Sequence, residues 1–156
     1  MRAWCDVFDK NLENNPDIAS IKESYKLIAE LIDAEILKGI NSERILLIGF
    51  SQGAAMALHA AFHYPKKLAG AASLSSFFPS AATMPKNSAN AKIPIFFGHG
   101  NSDPVVPPAL SQKSVDFLKS SGIPVEWHTY NIKHSICIEE LKELGMWIAE
   151  RLRGIA

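Results

Sequence analysis

The chain has 156 residues, with 16 basic and 16 acidic side chains, so its formal net charge at pH 7 is zero. Apolar residues make up 47% of it and charged residues 21%, which is the balance of a globular domain and excludes a disordered chain. The neutral charge argues against a nucleic-acid partner, because phosphate binding needs a clustered excess of Lys and Arg. No apolar run approaches the ~20 residues that span a bilayer, and the N-terminal residues do not resemble a secretory signal. The sequence therefore predicts one domain without a transmembrane segment, located in the cytoplasm.

The first half of the chain predicts a helix, a strand and a second helix. Apolar side chains recur every three or four residues from 18 to 39, which indicates an amphipathic helix that ends at Gly39. Residues 44–49 contain four successive large aliphatic side chains, a pattern typical of a strand buried on both faces in a parallel sheet. Residues 52–63 are rich in Ala, contain no β-branched residue and precede Pro65, so they predict a helix.

The same alternation continues through the second half. The elements predicted there are strands at 68–73, 93–98 and 125–130, helices at 107–121 and 138–152, and a surface loop at 79–90. Strands that alternate with helices form right-handed βαβ units. We therefore predict a three-layer α/β/α fold with a mostly parallel sheet, and a single domain over residues 1–156.

A motif for nucleophilic catalysis lies between the first predicted strand and the helix after it. The segment Gly49–Gly53 fits G-x-S-x-G, which in this setting forms a tight turn that exposes the serine hydroxyl above the sheet. We predict Ser51 as a nucleophile and the backbone N–H of Gln52 as a donor to an oxyanion. The alternative is a Gly-rich turn in which the serine only caps the helix.

A serine nucleophile needs a histidine base, which a carboxylate orients. Asp103 is the best candidate for the acid, because it follows the strand predicted at 93–98 in a tight loop that contains glycine and proline. An Asx turn before Pro104 is the alternative role for this residue.

Five histidines compete for the role of the base. His134 is predicted in the loop between the last strand and the last helix, which gives the chain order Ser51, Asp103, His134 typical of α/β-hydrolases. A structural role at the start of the final helix is the alternative for His134. The remaining histidines lie in a helix, inside a strand, or too near the acid in sequence: His59, His63, His128 and His99.

These segments together resemble the acyl-protein thioesterase/carboxylesterase (phospholipase/carboxylesterase) family of α/β-hydrolases. The matching stretches are residues 48–54, 67–70 and 99–107, the pairs Leu74-Ser75 and His134-Ser135, and the opening Trp4 with Asp6. The resemblance covers essentially the whole chain. It implies Ser51, Asp103 and His134 as catalytic residues, Gln52 as an oxyanion donor, and cleavage of carboxylic esters or acyl thioesters without a cofactor or a metal.

The resemblance also implies a binding site for the acyl chain of a small-molecule or acylated ester. Phe77 and Phe78 fall in the loop where the family lines this site. Aromatic walls would stabilise a fatty chain by burial, at about 25 cal/mol per Å². Plain core packing is the alternative for either ring.

One feature of the family is missing from this sequence. In the family, the residues around Trp4 follow a strand that ends in an H-G-x-G-D loop, which supplies a second oxyanion N–H. The His-Gly pair in this chain, His99-Gly100, belongs to the acid loop instead. We therefore expect an N-terminally truncated member, a partial domain whose strand at 45–48 forms an open edge. Such an edge favours aggregation, domain swapping or a homodimer.

The missing loop leaves three functions open. The leading one is a serine hydrolase that forms an acyl-enzyme. Because one oxyanion donor contributes ~10²–10³-fold to turnover, the second is a catalytically impaired remnant that acts as an interaction module. The third is a hydrolase of other small esters, such as dienelactones.

Overall fold

The computed structural model describes Trp4 and residues 18–154, so Asp6 lies outside the described residues. The helices of the described part are α1 (Ile18–Leu37), α2 (Gln52–His63), α3 (Pro108–Ser120) and α4 (Ile138–Leu152), and its strands are β1 (Leu46–Phe50), β2 (Gly70–Leu74), β3 (Ile95–Gly100) and β4 (Val125–Tyr130). Each predicted helix and strand is present, within two residues of its predicted bounds. The bounds of α2, β4 and α4 agree fully with the sequence prediction.

The four strands form one parallel sheet in the order β1-β2-β3-β4. Leu46 of β1 pairs with Gly70 of β2, and Ile95 of β3 pairs with Val125 of β4. Because all four strands run in one direction, their carboxyl ends meet at the same edge of the sheet. The loops that leave this edge carry the side chains discussed below.

Helices cover both faces of this sheet. On one face, α1, α2 and α3 share a core that includes Phe62, Phe97 and Leu118. On the other face, α4 packs against the sheet through a core that includes Phe96 and Trp147. The fold is therefore the predicted three-layer α/β/α arrangement. Among the described residues, no helix combines the length and apolar character needed to cross a membrane.

β1 is more exposed than its aliphatic pattern alone predicts. Its aliphatic run is typical of a strand covered on both faces, yet Ile48 is 44% exposed and the rest of β1 is half-buried. Within the described part of the chain, β1 has one neighbouring strand, β2, and forms an edge of the sheet. The aliphatic pattern alone thus overestimated the burial of this strand, whereas the open edge expected at 45–48 from the resemblance is present among the described residues.

The loop predicted after β2 is irregular, apart from a 3₁₀ turn of three residues. Its C-terminal end is anchored by Asn90, a residue that is only 1% exposed. The Asn90 side-chain amide donates to the carbonyl groups of Tyr64 and Lys66, and its Oδ1 accepts from the Leu68 N–H. This loop is thus fixed against the connection between α2 and β2.

Candidate active site

Ser51 occupies the tight turn between β1 and α2. Its φ of 54° and ψ of −124° lie outside the regions that L-residues ordinarily adopt. The Ser51 N–H donates to the Leu74 carbonyl oxygen at 2.8 Å, which ties the turn to the end of β2. A Cβ at Gly49 would lie 2.3 Å from the carbonyl carbon of Gly53, so this turn requires glycine at position 49. At Gly53 the nearest atom to an added Cβ is Trp4 Nε1, at an ordinary 3.9 Å.

His134 lies in the loop between β4 and α4 and faces Ser51. The distance from His134 Nε2 to Ser51 Oγ is 3.0 Å, which is a hydrogen-bond distance; with the proton of the ring on Nδ1, the hydroxyl group donates to Nε2. The ring of Phe50 packs beside the imidazole, with 4.8 Å between the ring centres. The His134 side chain keeps 17% of its surface exposed, so the imidazole ring remains partly accessible to solvent.

Asp103 lies on the other side of the imidazole ring. The Nδ1–H of His134 donates to Asp103 Oδ2 at 2.7 Å, and Oδ1 accepts from the N–H groups of Val105 and Val106 at 2.8 and 2.9 Å. Burial raises the pKa of Asp103, but these hydrogen bonds from His134, Val106 and Val105 outweigh burial and hold the pKa below its ordinary value. The structure thus brings Ser51, His134 and an ionised Asp103 into one hydrogen-bonded series.

The loops that carry the acid and the base are joined to each other. The N–H of Asn101 donates to the Tyr130 carbonyl at 2.8 Å, and that of Ser102 donates to the Ile132 carbonyl at 3.1 Å. A Cβ at Gly100 would lie only 2.4 Å from the Ile132 carbonyl oxygen, so glycine at this position permits the close approach. These contacts set the distance between Asp103 and His134.

His99 supports the acid loop from inside the protein. It is fully buried, its Nε2–H donates to the Val106 carbonyl at 3.0 Å, and the same nitrogen lies 3.4 Å from Asp103 Oδ2. Its Nδ1 lies 2.7 Å from Ser111 Oγ. Burial lowers the pKa of His99, against the opposing effects of Val106 and Asp103. The sequence analysis excluded His99 as the base because it lies too near Asp103, and it missed the contact between the two side chains, although their four-residue spacing was visible.

The other histidines take part in structural contacts away from Ser51. His59 is buried, which lowers its pKa to about 4; its Nδ1 lies 2.9 Å from Ser80 Oγ, and its ring stacks on that of His63 at 3.9 Å. Nδ1 of His128 lies 3.0 Å from a carboxylate oxygen of Glu143. These positions agree with their exclusion as the base.

An open pocket of about 840 Å³ lies beside Ser51. Its lining includes Trp4, Ile28 and Met56 as well as Ser51 itself. Gln52, the first residue of α2, also lines it, and its side-chain oxygen accepts from the Trp4 N–H at 2.8 Å. The Gln52 backbone N–H belongs to the positive end of α2, next to Ser51.

Phe77 and Phe78 are both buried, at 7% and 3% exposure. Phe78 packs against Phe62 in the main core, with ring centres 5.3 Å apart, while Phe77 belongs to a smaller core cluster that includes Met56. Neither ring lines the 840 Å³ pocket, but Met56 lines that pocket and so connects it to the cluster of Phe77. The substrate-binding role of this pair stays a prediction.

Comparison with known proteins gives a consistent family match. A model of the family described as phospholipase/carboxylesterase matches residues 1–151. Acyl-protein thioesterase 1 of Neurospora crassa is 39% identical over 166 residues, which cover 100% of this chain and 68% of the relative. Carboxylesterase SOBER1 of Arabidopsis thaliana is 36% identical over 161 residues, covering 99% and 70%. This chain thus spans just over two thirds of the length of these relatives.

Solved structures give the same fold. The crystal structure of Arabidopsis thaliana SOBER1 superposes with a TM-score of 0.87 at 35% identity, covering 98% of this chain and 75% of that one. Acyl-protein thioesterase 2 of Zea mays has a TM-score of 0.80 at 31% identity, covering 96% and 72%. These likenesses extend over almost all of the chain and include the segments that carry Ser51, Asp103 and His134.

Proposed function

Because this chain belongs to the phospholipase/carboxylesterase family of α/β-hydrolases, we propose that it is a serine hydrolase in which Ser51, His134 and Asp103 cleave carboxylic esters or acyl thioesters. One observation carries this proposal. The hydrogen bonds run without a break from Ser51 Oγ to His134 Nε2, at 3.0 Å, and from His134 Nδ1 to Asp103 Oδ2, at 2.7 Å. Both distances allow proton transfer and orientation without rearrangement of the site.

The first half of the reaction acylates the enzyme. Ser51 Oγ attacks the carbonyl carbon of the substrate while His134 Nε2 takes the hydroxyl proton. The tetrahedral intermediate carries its negative charge on the former carbonyl oxygen, and the Gln52 N–H at the positive end of α2 stabilises this oxyanion. His134 then gives the proton to the leaving alkoxide or thiolate, and an acyl-Ser51 ester remains.

The second half regenerates the enzyme. A water molecule gives one proton to His134 Nε2 as its oxygen attacks the acyl-Ser51 carbonyl carbon, and the same proton returns to Ser51 Oγ when the carboxylic acid leaves. Asp103 stays ionised throughout and stabilises the imidazolium that forms twice in the cycle. The depressed pKa of Asp103 supports this role, because the carboxylate keeps its charge at neutral pH.

The substrate class follows from the pocket beside the nucleophile. Its apolar side chains, among them Ile28 and Met56, could bury an acyl chain whose carbonyl carbon lies at Ser51. The relatives are named acyl-protein thioesterase and carboxylesterase, which fits acyl groups bound through sulfur or oxygen. In this proposal Phe77 supports the acyl site from behind, through the cluster that it shares with Met56, while the contacts of Phe78 are those of the main core.

An active-site-directed fluorophosphonate tests the nucleophile directly. The wild-type protein should form a covalent phosphonyl adduct at Ser51 with release of fluoride, and Ser51→Ala should form none. Ser120→Ala, an exposed serine at the end of α3, is the matched control and should label like the wild type. Labelling that persists in Ser51→Ala would refute the assignment, and a wild type that does not label would favour the impaired remnant.

Steady-state kinetics then define the substrate. We expect Ser51→Ala to lower kcat for p-nitrophenyl esters by at least about 10³-fold. Comparison of butyrate and palmitate esters tests the acyl site, and an acyl thioester of the same chain length tests the choice between sulfur and oxygen. A preference for cyclic lactones over both would instead favour the dienelactone-like alternative.

The proposal includes self-association through the open edge at β1. Two copies could pair there, since β1 has one neighbouring strand in the described part of the chain.

The proposal also includes a cytoplasmic location, which the sequence predicts. Fractionation of cells that express the tagged protein tests it.

A further inference from the structure

A buried carboxyl group lies six residues after the proposed base. Glu140 is in the first turn of α4 and is 0% exposed. Among the described residues, neither of its carboxyl oxygens has a hydrogen bond of ordinary geometry. An ionised carboxylate without partners in such a place is costly, so this residue calls for a physical explanation.

The Glu140 carboxyl group lies directly against the backbone of β3. A Cβ at Gly98 would be 2.2 Å from Glu140 Oε1, so the glycine at this position leaves the space that the carboxyl group fills. Gly98 and Gly100 lie two residues apart and therefore point to the same face of the strand. Gly100 receives the close approach of the Ile132 carbonyl, which precedes His134.

The loop from 131 to 137 is thus held against one strand at both ends. The backbone of Ile132 contacts β3 at Gly100. The carboxyl group of Glu140, in the helix that follows the loop, contacts β3 at Gly98. Ser75 Oγ adds a contact in between, 3.5 Å from the Ser135 carbonyl oxygen. His134 projects from the middle of this segment.

The surroundings of Glu140 disfavour its charge. Burial raises the pKa of Glu140 to about 7, with a smaller contribution from Glu143 on the same helix, while the nearby backbone N–H of Cys137 acts in the opposite direction. Tyr130 on β4 donates to Glu143 at 2.6 Å, and burial, followed by this hydrogen bond and the charge of Glu143, raises the pKa of Tyr130. In the described part of the chain, the charged group that acts on the pKa of Glu140 is thus another acid, Glu143, which is itself in contact with His128 of β4.

We propose that Glu140 is a positioning residue for His134: its neutral carboxyl group seats the start of α4 against Gly98 and so fixes the loop that carries the base. The inference rests on the proposed function, because it assigns His134 as the base. When Glu140 ionises, the charge is poorly solvated and is repelled by Glu143. The start of α4 then moves away from β3, and His134 loses its alignment with Ser51.

Three variants separate this role from simple packing. Glu140→Gln keeps the size of the side chain and stays neutral at every pH, while Glu140→Ala removes the group. Glu139→Ala is the matched control, because Glu139 is an exposed acid in the same helical turn. Hydrolysis of p-nitrophenyl butyrate is measured from pH 6 to 9, with kcat and KM determined separately.

We expect Glu140→Ala to lower kcat about 10–100-fold at pH 7 with KM changed less than about twofold, because misplacement of a base affects the chemical step more than binding. The wild-type kcat should fall above pH 7. The kcat of Glu140→Gln should equal that of the wild type at pH 6 and should not fall above pH 7. Glu139→Ala should follow the wild type throughout. An unchanged alkaline decline in Glu140→Gln overturns the proposal, even if Glu140→Ala fails to fold.

Hydrogen exchange tests the same proposal without a substrate. The amide groups of Ile132 and Ser135 donate to the carbonyls of Tyr130 and Lys133. After correction for the intrinsic pH dependence, their protection should decrease between pH 6 and 8.5 in the wild type and stay constant in Glu140→Gln. Equal protection changes in both proteins would overturn the positioning role. If the exchange results are as expected but the wild-type protein does not hydrolyse esters, the proposed function is contradicted and the positioning role is not.

Discussion

The backbone of Ser51 is held in a conformation that costs of the order of 1–3 kcal/mol, and its surroundings compensate for that cost. The hydrogen bond to the Leu74 carbonyl fixes one side of the turn. The two glycines of the motif, Gly49 and Gly53, have different surroundings in the structure. An added Cβ would collide with backbone at Gly49 and would meet no atom closer than 3.9 Å at Gly53.

This difference gives a paired prediction at the residue scale. Gly49→Ala should lower the folded yield or the activity at least about 100-fold, because a Cβ at 2.3 Å from a backbone atom forces the turn to open and misplaces Ser51. Gly53→Ala should keep most of the activity and at least the wild-type melting temperature, since Ala is favoured over Gly within a helix by roughly 0.5–1 kcal/mol. Thermal unfolding and ester hydrolysis check both variants. Equal losses in the two proteins would contradict this account of the turn.

Individual side chains show where sequence reasoning works and where it stops. Ser51, Asp103 and His134 could be selected because each follows a predicted strand, and the ends of parallel strands meet at one edge. The burial of Glu140 could not be selected, since an acidic residue in the first turn of a helix is favoured electrostatically even when it faces solvent. Its contact depends on the absence of a side chain at Gly98, which lies on a different element.

At the scale of elements, α4 begins with an unusual arrangement. Cys137 is its N-cap, Glu139 is exposed, and Glu140 is in the position from which a glutamate can reach back to the N-cap N–H. Here the carboxyl group instead fills the space above Gly98, and neither of its oxygens has a hydrogen-bond partner among the described residues. The start of the helix therefore depends on a group whose charge changes near neutral pH.

The raised pKa of Glu140 predicts a specific dependence of stability on pH. The unfolded chain releases this proton near pH 4.5, whereas the folded protein holds it until about pH 7. Stability is therefore lost as the pH rises from about 4.5 through 7 and is fully present at lower pH. Glu140→Gln lacks this loss, so the two proteins should be similarly stable at pH 4, and the variant should be more stable at pH 8 by up to about 3 kcal/mol. Urea unfolding at both pH values measures the difference; a constant difference would contradict the assignment.

The elements themselves were accessible from the sequence, because their signals are local. The Ala-rich segment that precedes Pro65 became α2, and the alternating segment Val125–Tyr130 became β4. The exposure of Ile48 could not be read from the aliphatic run, which is the same in a central strand and in an edge strand; the open edge was expected only from the resemblance to the family. The position of a strand in the sheet depends on contacts with distant segments.

At the scale of the whole molecule, the sheet has unequal edges. β4 pairs with β3 and combines apolar with polar or charged residues, including exposed Glu126 and Thr129, while β1 begins with three successive large aliphatic residues. The relatives are longer than this chain, which spans 68% and 70% of two of them. The oligomeric state of this chain in solution therefore tests whether two copies pair through β1.

Pairing through β1 predicts a homodimer in sedimentation velocity at micromolar concentration. Ile48→Glu should shift this species to a monomer, because a charge on an edge strand opposes strand pairing. Leu37→Glu places the same charge on α1, at a residue that is 87% exposed, and should leave the dimer intact. A monodisperse wild-type monomer with well-protected β1 amide groups would rule out this assembly.

The bonds between the acid loop and the base loop have a consequence for how the site responds to motion. Asn101 and Ser102 donate to the carbonyls that precede His134, so Asp103 and His134 are carried by two strands that behave as one body at their ends. Ser51 lies on the turn between β1 and α2, which is held by its own hydrogen bond to the Leu74 carbonyl and is not directly bonded to either of these loops through its backbone N–H. Thermal fluctuation should therefore widen the separation between Ser51 Oγ and His134 Nε2 more readily than that between His134 Nδ1 and Asp103 Oδ2. The nucleophile, rather than the acid, would be the first member of the site to fall out of reach on heating.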